Sequence, residues 1–347
     1  MRPSQNRSRS RKKILTSLIL AVTAIFALSA PLYTSPFMLR VLQMFFFSVG
    51  LALSWNILGG YAGYWSFGHT VFIGIGAFVA GKLALIIGPH TSNTLLFLLS
   101  IVAGGLASCL LALILSYPVL RLRGIYFAIA MLGVAELGAE LSSNVDAIGG
   151  GMGLMLPVIS PSSMEPAVFF YYLFLMVVVV IIIVAAWIKY SKFGYGLISI
   201  REDEDTAKML GVPTEKYKTL SFLISSSLVG VLGVVYGYYL GYFTTASVIR
   251  VDFSLNMILH ALIGGIGTLI GPIIGAAVMV TLTQVVLGKL LEIHILITGI
   301  LVITIVLLVP SGFIGTFKNV IARRSGKARE ESNQKKDGPS NGVNAAE

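Results

Sequence analysis

The chain has 347 residues, 56% hydrophobic and 12% charged, with a mean hydropathy of +0.88 and a formal net charge of +10. Soluble domains carry about 25% charged residues, so a soluble globular protein is excluded. The basic residues flank apolar runs, which points to membrane topology rather than nucleic acid. The single cysteine, Cys109, rules out a disulfide framework and any cysteine-based metal or redox motif.

Residues 1–13 hold six Lys/Arg. The apolar run from Ile14 to Ala30 ends in ALSA, the small-residue pattern of a signal-peptide cleavage site. Pro31-Leu32-Tyr33 prolongs its apolar character, and a retained first helix is the expectation. Further apolar segments fall near 37–58, 66–87, 94–117, 124–142, 168–188, 219–243 and 294–309, with a glycine-rich stretch at 257–288. A helix needs about 20 apolar residues to cross a bilayer, and lipid admits only helices or closed barrels. Runs such as VFFYYLFLMVVVVIIIVAAWI (168–188) lack the alternation of barrel strands. The fold class is therefore all-α and polytopic.

Charge sets the orientation. Residues 189–218 carry six Lys/Arg and the tail from Lys318 carries seven, so these segments and the N-terminus are expected to be cytoplasmic. An even number of crossings must separate the 189–218 loop from the tail, so residues 257–288 must cross twice or re-enter. ALIGGIGTLIGPIIGAA (261–277), with five glycines and Pro272, suits a broken or re-entrant hairpin. The expectation is about ten membrane segments with both termini cytoplasmic. Arg121 and Arg123 then also lie inside, which places 21 of 25 basic residues there. Three regions follow: a basic N-terminus (1–13), a transmembrane domain (14–317) with its cytoplasmic loop at 189–218, and a disordered basic tail (318–347).

LGGYAGYWSFGHTVFIGIGAFVAG (58–81) carries seven glycines and His69. Gly76 to Leu83 reads GAFVAGKL, but Leu83 stands where the phosphate-binding pattern needs a hydroxyl for Mg²⁺. Neither 288–289 nor 326–327 is followed by Ser or Thr, so the chain carries no ATPase machinery of its own and no cofactor site is expected. The segment reads as a closely packed and partly broken helix. Two roles are open for His69, lining a path or pinning irregular backbone through hydrogen bonds, and the second is favoured.

The loop SKFGYGLISIREDEDTAKMLGVPTEKYK (191–218) predicts a short amphipathic helix from Ile198 to Leu210, stopped by Gly211 and Pro213. Arg201, Glu202, Asp203, Glu204 and Asp205 make it dense in charge, and Ile200, Ala207, Met209 and Leu210 give it an apolar side. A solvated connector and a docking helix for a cytoplasmic partner both fit this pattern. Among other polar residues, Glu136 and Glu140 lie four apart on one helix face and repel if both are ionised. His260 is expected to be structural, and Arg250 and Asp252 are expected at the outer interface.

DTAKMLG (205–211) resembles the Glu-Ala-Ala-x-x-x-Gly signature of ABC importer permeases. SFGHTVFIGIGAFVAG (66–81), LRLRGIYFAIAMLGVAEL (120–137), IGGGMGL (148–154), SKFGYGLISIREDEDTAKMLGV (191–212) and GGIGTLIGPIIGA (264–276) resemble, in order, five blocks of the branched-chain amino acid importer permeases. The Ile-Arg-Glu-Asp-Glu loop is similar to that of the LivM-type partner rather than the LivH-type. Met131 and Ile148 replace family threonines, and Gly138-Ala139-Glu140 stands where an arginine is common; these departures bear on substrate choice.

The resemblance implies a non-catalytic subunit of an ATP-driven importer in a bacterial cytoplasmic membrane. It would pair with a second, similar permease. Two cytoplasmic ATPase subunits would use the ATP, and an extracytoplasmic binding protein would deliver a small-molecule substrate, a branched-chain or related amino acid. It also implies a coupling role for Arg201, Glu202, Asp203, Glu204, Asp205, Ala207 and Gly211. Translocation-path or pore-packing roles fall to Ser66, Gly68, His69, Phe72, Glu136, Gly264, Gly265 and Gly267. A same-superfamily permease for urea, short amides or other small solutes is the alternative. An ion-coupled secondary transporter is a further one, for which only Glu136 and Glu140 offer intramembrane carboxylates.

Overall fold

The computed structural model describes residues 27–145, 150–161 and 163–286, together with residue 299. The expected N-terminal region 1–13, the tail 318–347, all of the apolar segment 294–309 but residue 299, and most of the segment 14–33 lie outside these residues. Among those described, six helical stretches are long and apolar enough to cross a membrane.

The helices follow the apolar runs. After a 3₁₀ turn at Ala30–Leu32, α1 spans Pro36–Asn56 and continues into a π turn at Ile57–Tyr61. Ser35 caps its start and Pro36 occupies the first turn, where a missing N–H costs nothing. Then come α2 (Thr70–Ile86), α3 (Asn93–Val119), α4 (Ile125–Asn144) and α5 (Pro166–Lys189). The loop helices α6 (Lys192–Glu202) and α7 (Glu204–Met209) lead into α8 (Thr214–Leu240). The chain ends in α9 (Thr245–Val248), α10 (Val251–Gly264) and α11 (Gly271–Val280), with a π turn at Thr281–Val286. Two short antiparallel strands, β1 (Leu154–Met155) and β2 (Tyr242–Phe243), pair Leu154 with Phe243.

The core is centred on α8, which packs against α2 and α3, while α1 packs on α5 and α8. Close approach explains the tightest seam. A Cβ on Gly76 of α2 would overlap the Gly230 carbonyl of α8, and one on Gly104 of α3 would meet Val234. Three helices therefore meet through small residues, as expected where lipid supplies no hydrophobic drive between helices. Phe72, Phe127, Phe174, Phe222 and Trp55 fill the centre around them.

Three of the expected segments contain breaks. The 66–87 segment becomes helical only at Thr70, because Tyr61–His69 is irregular and held by tertiary bonds: the Trp55 indole donates to Ser66 O at 2.8 Å. The glycine-rich 257–288 stretch is two helices, α10 and α11, that pack on each other across a turn at 265–270. The expected 198–210 helix is broken at Asp203, whose backbone is extended and whose side chain caps Thr206 N at the start of α7. A carboxylate at this position satisfies an orphan N–H, which favours a new helix over continuation of the old one.

Candidate functional site: the 191–218 loop and the turns it grips

The loop helices, the 57–69 segment, the end of α3 and the 265–270 turn meet at one end of the bundle. Glu204, at the start of α7, turns inward. Its carboxylate accepts from Lys218 Nζ at 2.6 Å and from Tyr64 OH at 2.6 Å. Lys218 also donates to Leu120 O at 3.3 Å and reaches Tyr64 OH at 3.1 Å. The side chains of Lys218 and Glu204 are 5% and 12% exposed. Burial opposes the charged carboxylate, but the bonds from Lys218 and Tyr64 and the charges of Lys218 and Arg123 outweigh it. They hold Glu204 below its ordinary 4.5. Removing one partner of so enclosed a pair costs about 3 kcal/mol or more. Outside it, Arg123 makes a bidentate contact with Asp205 at 2.9 Å for both bonds and keeps that carboxyl below its usual range.

Arg201 ties the loop to a second place. Its Nη1 donates to Gly60 O at 2.9 Å, in the π turn after α1. Just before that turn, the amide of Asn56, the last residue of α1, bridges to the other glycine turn: Oδ1 accepts from Gly267 N and Nδ2 donates to Thr268 O, both at 2.9 Å. Gly267 has φ +74, and a Cβ there would collide with the Arg201 guanidinium. Thr268 Oγ1 in turn accepts from Gly271 N at 2.9 Å, capping α11. A continuous polar chain thus runs from α6 through both turns to the start of α11.

The opposite side of the loop faces outward. Glu202, Asp203, Lys208, Met209 and Leu210 are exposed, the last two at 87% and 79%, while Ala207 is buried beneath them. Gly211, at φ +85, closes α7 in a Schellman turn: Val212 N bonds to Ala207 O and Gly211 N to Lys208 O, both at 3.0 Å.

The residues expected along a path are divided. His69, Phe72 and Ser66 are fully buried. His69 Nε2 lies 2.8 Å from Ser225 Oγ, which itself donates to Ser54 O at 2.7 Å, so Nε2 is the donor. Its ring is flanked by Phe72 and Phe222. A Cβ on Gly68 would overlap the Met131 carbonyl, and one on Gly264 would overlap Gly271 O. Gly265 has φ +123 at the end of α10. Glu136 stands apart from all of these, exposed on α4, and Glu140 accepts from Asn144 Nδ2 at 2.9 Å. Sequence reading missed Tyr64, Lys218 and Asn56. A lysine four residues into α8 and a tyrosine in an apolar loop resemble ordinary interfacial residues, and their pairing with a carboxylate 140 positions away from Tyr64 has no local signal. No group of three or more His, Cys, Asp or Glu suited to a metal occurs among the described residues.

The sequence model of a family described as "Branched-chain amino acid transport system / permease component" matches residues 37–307. The LivM high-affinity branched-chain amino acid transport permease protein of Salmonella typhimurium is 24% identical over 341 residues, covering 90% of this chain and 78% of that protein. A probable LivM permease protein of Methanocaldococcus jannaschii is 23% identical, covering 70% of this chain and 78% of that one. The LivH protein of Escherichia coli is 28% identical over 134 residues, 37% of this chain and 42% of LivH. No solved structure matches. With a family match that spans most of its length and relatives of the LivM type along 90% of it, this multi-pass membrane chain belongs to the branched-chain amino acid transport system permease family.

Proposed function

We propose that the chain is the translocating, non-catalytic subunit of an ATP-driven importer for branched-chain or related amino acids. It works in a bacterial cytoplasmic membrane beside a second permease, two ATPase subunits and an extracytoplasmic binding protein. In this reading it has about ten membrane segments, with α10 and α11 as a broken hairpin, and both termini and the 189–218 loop in the cytoplasm. One observation carries the reading: the loop is bolted inward through Glu204 and Arg201 while it offers Met209, Leu210 and a charged rim outward. Large exposed apolar side chains on a charged loop suit a protein partner, and the inward contacts give a partner's movement a route to both glycine turns. ATP binding by the partner then supplies the differential affinity that shifts the permease between inward and outward access. No bond is made or broken in this subunit.

The reading is tested by copurification of the ATPase subunits with chains carrying Leu210→Asp or Met209→Asp. Both side chains are exposed, so thermal stability should change by no more than about 0.5 kcal/mol. ATPase association should fall roughly ten-fold or more, as for loss of a central anchor. Unchanged association with both variants contradicts the assignment of this surface.

A further inference from the structure

The stretch Thr245–Gly264 has the length and hydropathy of one membrane span, yet it is not one helix. It breaks at Ile249 and Arg250, whose backbones leave the helical region (φ −107, ψ 78 and φ −116, ψ 126), and restarts as α10. The start of α2 meets this break. Thr70 N donates to Ser254 Oγ and Arg250 N donates to Thr70 Oγ1, both at 3.0 Å. Ile249 fills the space that a Cβ on Gly74 would need. Two interrupted helices therefore join, and each restarts at the junction.

With the charged loop at the cytoplasmic surface, as proposed above, the junction falls within the membrane thickness and not at the outer interface expected from the sequence. α10 has 14 residues, hence a length of about 21 Å at 1.5 Å per residue. Its far end is the 265–270 turn, which contacts Arg201 of the charged loop. Arg250 is thus about 20 Å from that turn, inside a hydrocarbon core about 30 Å thick. Beside it, Asp252 forms a bidentate pair with its guanidinium, at 2.9 Å from Nε and 2.7 Å from Nη2. Arg250 and Asp252 remain 52% and 46% exposed, and Arg250 Nη1 makes no hydrogen bond among the described residues. Phe253 lies under the guanidinium at 5.5 Å and packs with Tyr236 and Phe47.

Charges at this depth are costly and face a protein or aqueous interior. Helix breaks at mid-membrane are where transporters place their substrate groups. We propose that Arg250 and Asp252 form the zwitterion subsite of the translocation path. Arg250 takes the α-carboxylate of an amino acid, Asp252 takes its α-ammonium, and Phe253 and Tyr236 border the apolar side chain. The charge balance gives the selectivity. The Arg–Asp pair is neutral, and a zwitterion leaves the site neutral with each charge apposed to its opposite. A bare anion or cation would bring an uncompensated charge into a low-dielectric setting. The proposal rests on the importer reading above for the identity of the substrate.

The test is leucine uptake by the complete importer reconstituted in vesicles with its binding protein and ATP. Arg250→Gln and Asp252→Asn should each lower uptake roughly ten-fold or more, the scale set by loss of a charged hydrogen bond. The swapped double variant Arg250→Asp/Asp252→Arg restores the ion pair with its poles exchanged; it should recover thermal stability but not uptake. Independently of any variant's folding, leucine at saturating concentration should slow phenylglyoxal modification of Arg250 in the unsubstituted importer at least several-fold, read by peptide mass spectrometry. Uptake within two-fold of the unsubstituted importer in both neutral variants, recovery of uptake in the swap, or no protection by leucine would each overturn the subsite. If the unsubstituted importer shows no ATP-driven leucine uptake, the importer reading fails and the subsite falls with it.

Discussion

Helices α8 and α4 are both apolar and long enough to cross a membrane, yet they live in different surroundings. Of the most apolar stretch of each, 61% is buried in α8 and 28% in α4. Along α8, buried polar groups pair with other parts of the chain: Lys218 holds Glu204 and Ser225 holds His69. On α4, only Phe127, Met131, Ala135 and Ser142 are buried, and Glu136 lies exposed among Ile129, Leu137 and Leu141. Polar residues in membrane helices thus divide into those whose role is complete within one chain and those that face outward from it. The first kind sets stability. The second kind is where lipid, substrate or a second subunit must be considered.

The largest effect should come from closing the central seam. Gly76→Leu forces a side chain into the Gly230 backbone and should cost about 3 kcal/mol or more of stability. A Cβ on Gly133 of α4 would meet no atom within 4 Å, so Gly133→Leu should cause no loss of stability. Thermal unfolding of the purified chains in detergent compares the two, and equal losses would dissolve the contrast. Next comes Lys218→Met, which strands an enclosed carboxylate at a cost of about 3 kcal/mol. Adding Glu204→Gln to it should recover most of that loss, because no unpaired charge remains; no recovery would place the cost elsewhere.

The same pair gives a pH dependence of definite sign. The folded-state pKa of Glu204 is lowered, so its contribution is complete above the ordinary value of 4.5 and is lost as pH falls through the lowered one. Unfolding midpoints measured from pH 6 down to pH 3 should fall more steeply for the unsubstituted chain than for Glu204→Gln. Parallel curves would show that the carboxylate is not linked to folding. Arg201→Ala removes one charge-assisted bond to Gly60 and should cost about 1.5 kcal/mol, with Arg201→Lys recovering part. The smallest effect on stability belongs to Glu136→Gln, within about 0.5 kcal/mol. Uptake that falls while stability holds would place Glu136 on the path, and uptake that holds would leave it a surface residue.

What the sequence made legible follows from the range of the forces involved. Apolar runs predict where helices lie, and the runs at 37–58, 94–117, 124–142 and 168–188 correspond closely to α1, α3, α4 and α5. The glycines at 264–271 mark the interruption between α10 and α11, since local chemistry dictates it. The glycines at 59, 60, 63 and 68 likewise mark the irregular Tyr61–His69 segment, with Gly63 at φ +80, whereas the break at Ile249–Arg250 carries no such local mark. Each exists because distant groups satisfy the freed backbone: Ser66 O is met by Trp55, Thr70 N by Ser254 Oγ, and Arg250 N by Thr70 Oγ1 across 180 positions. The charged loop was legible as a candidate docking segment, but its inner half was not. Glu204 and Asp205 are adjacent in sequence, and only packing sends one toward Lys218 and the other toward Arg123.

The central claim is that this chain moves an amino acid through a path driven by ATPases gripping the 189–218 loop. The most direct measurement is branched-chain amino acid uptake into vesicles holding the chain with its second permease, ATPase subunits and binding protein, with and without ATP. Uptake that requires both ATP and the ATPase subunits is the result predicted. Uptake that proceeds without the ATPase subunits, sustained by an ion gradient alone, would contradict it.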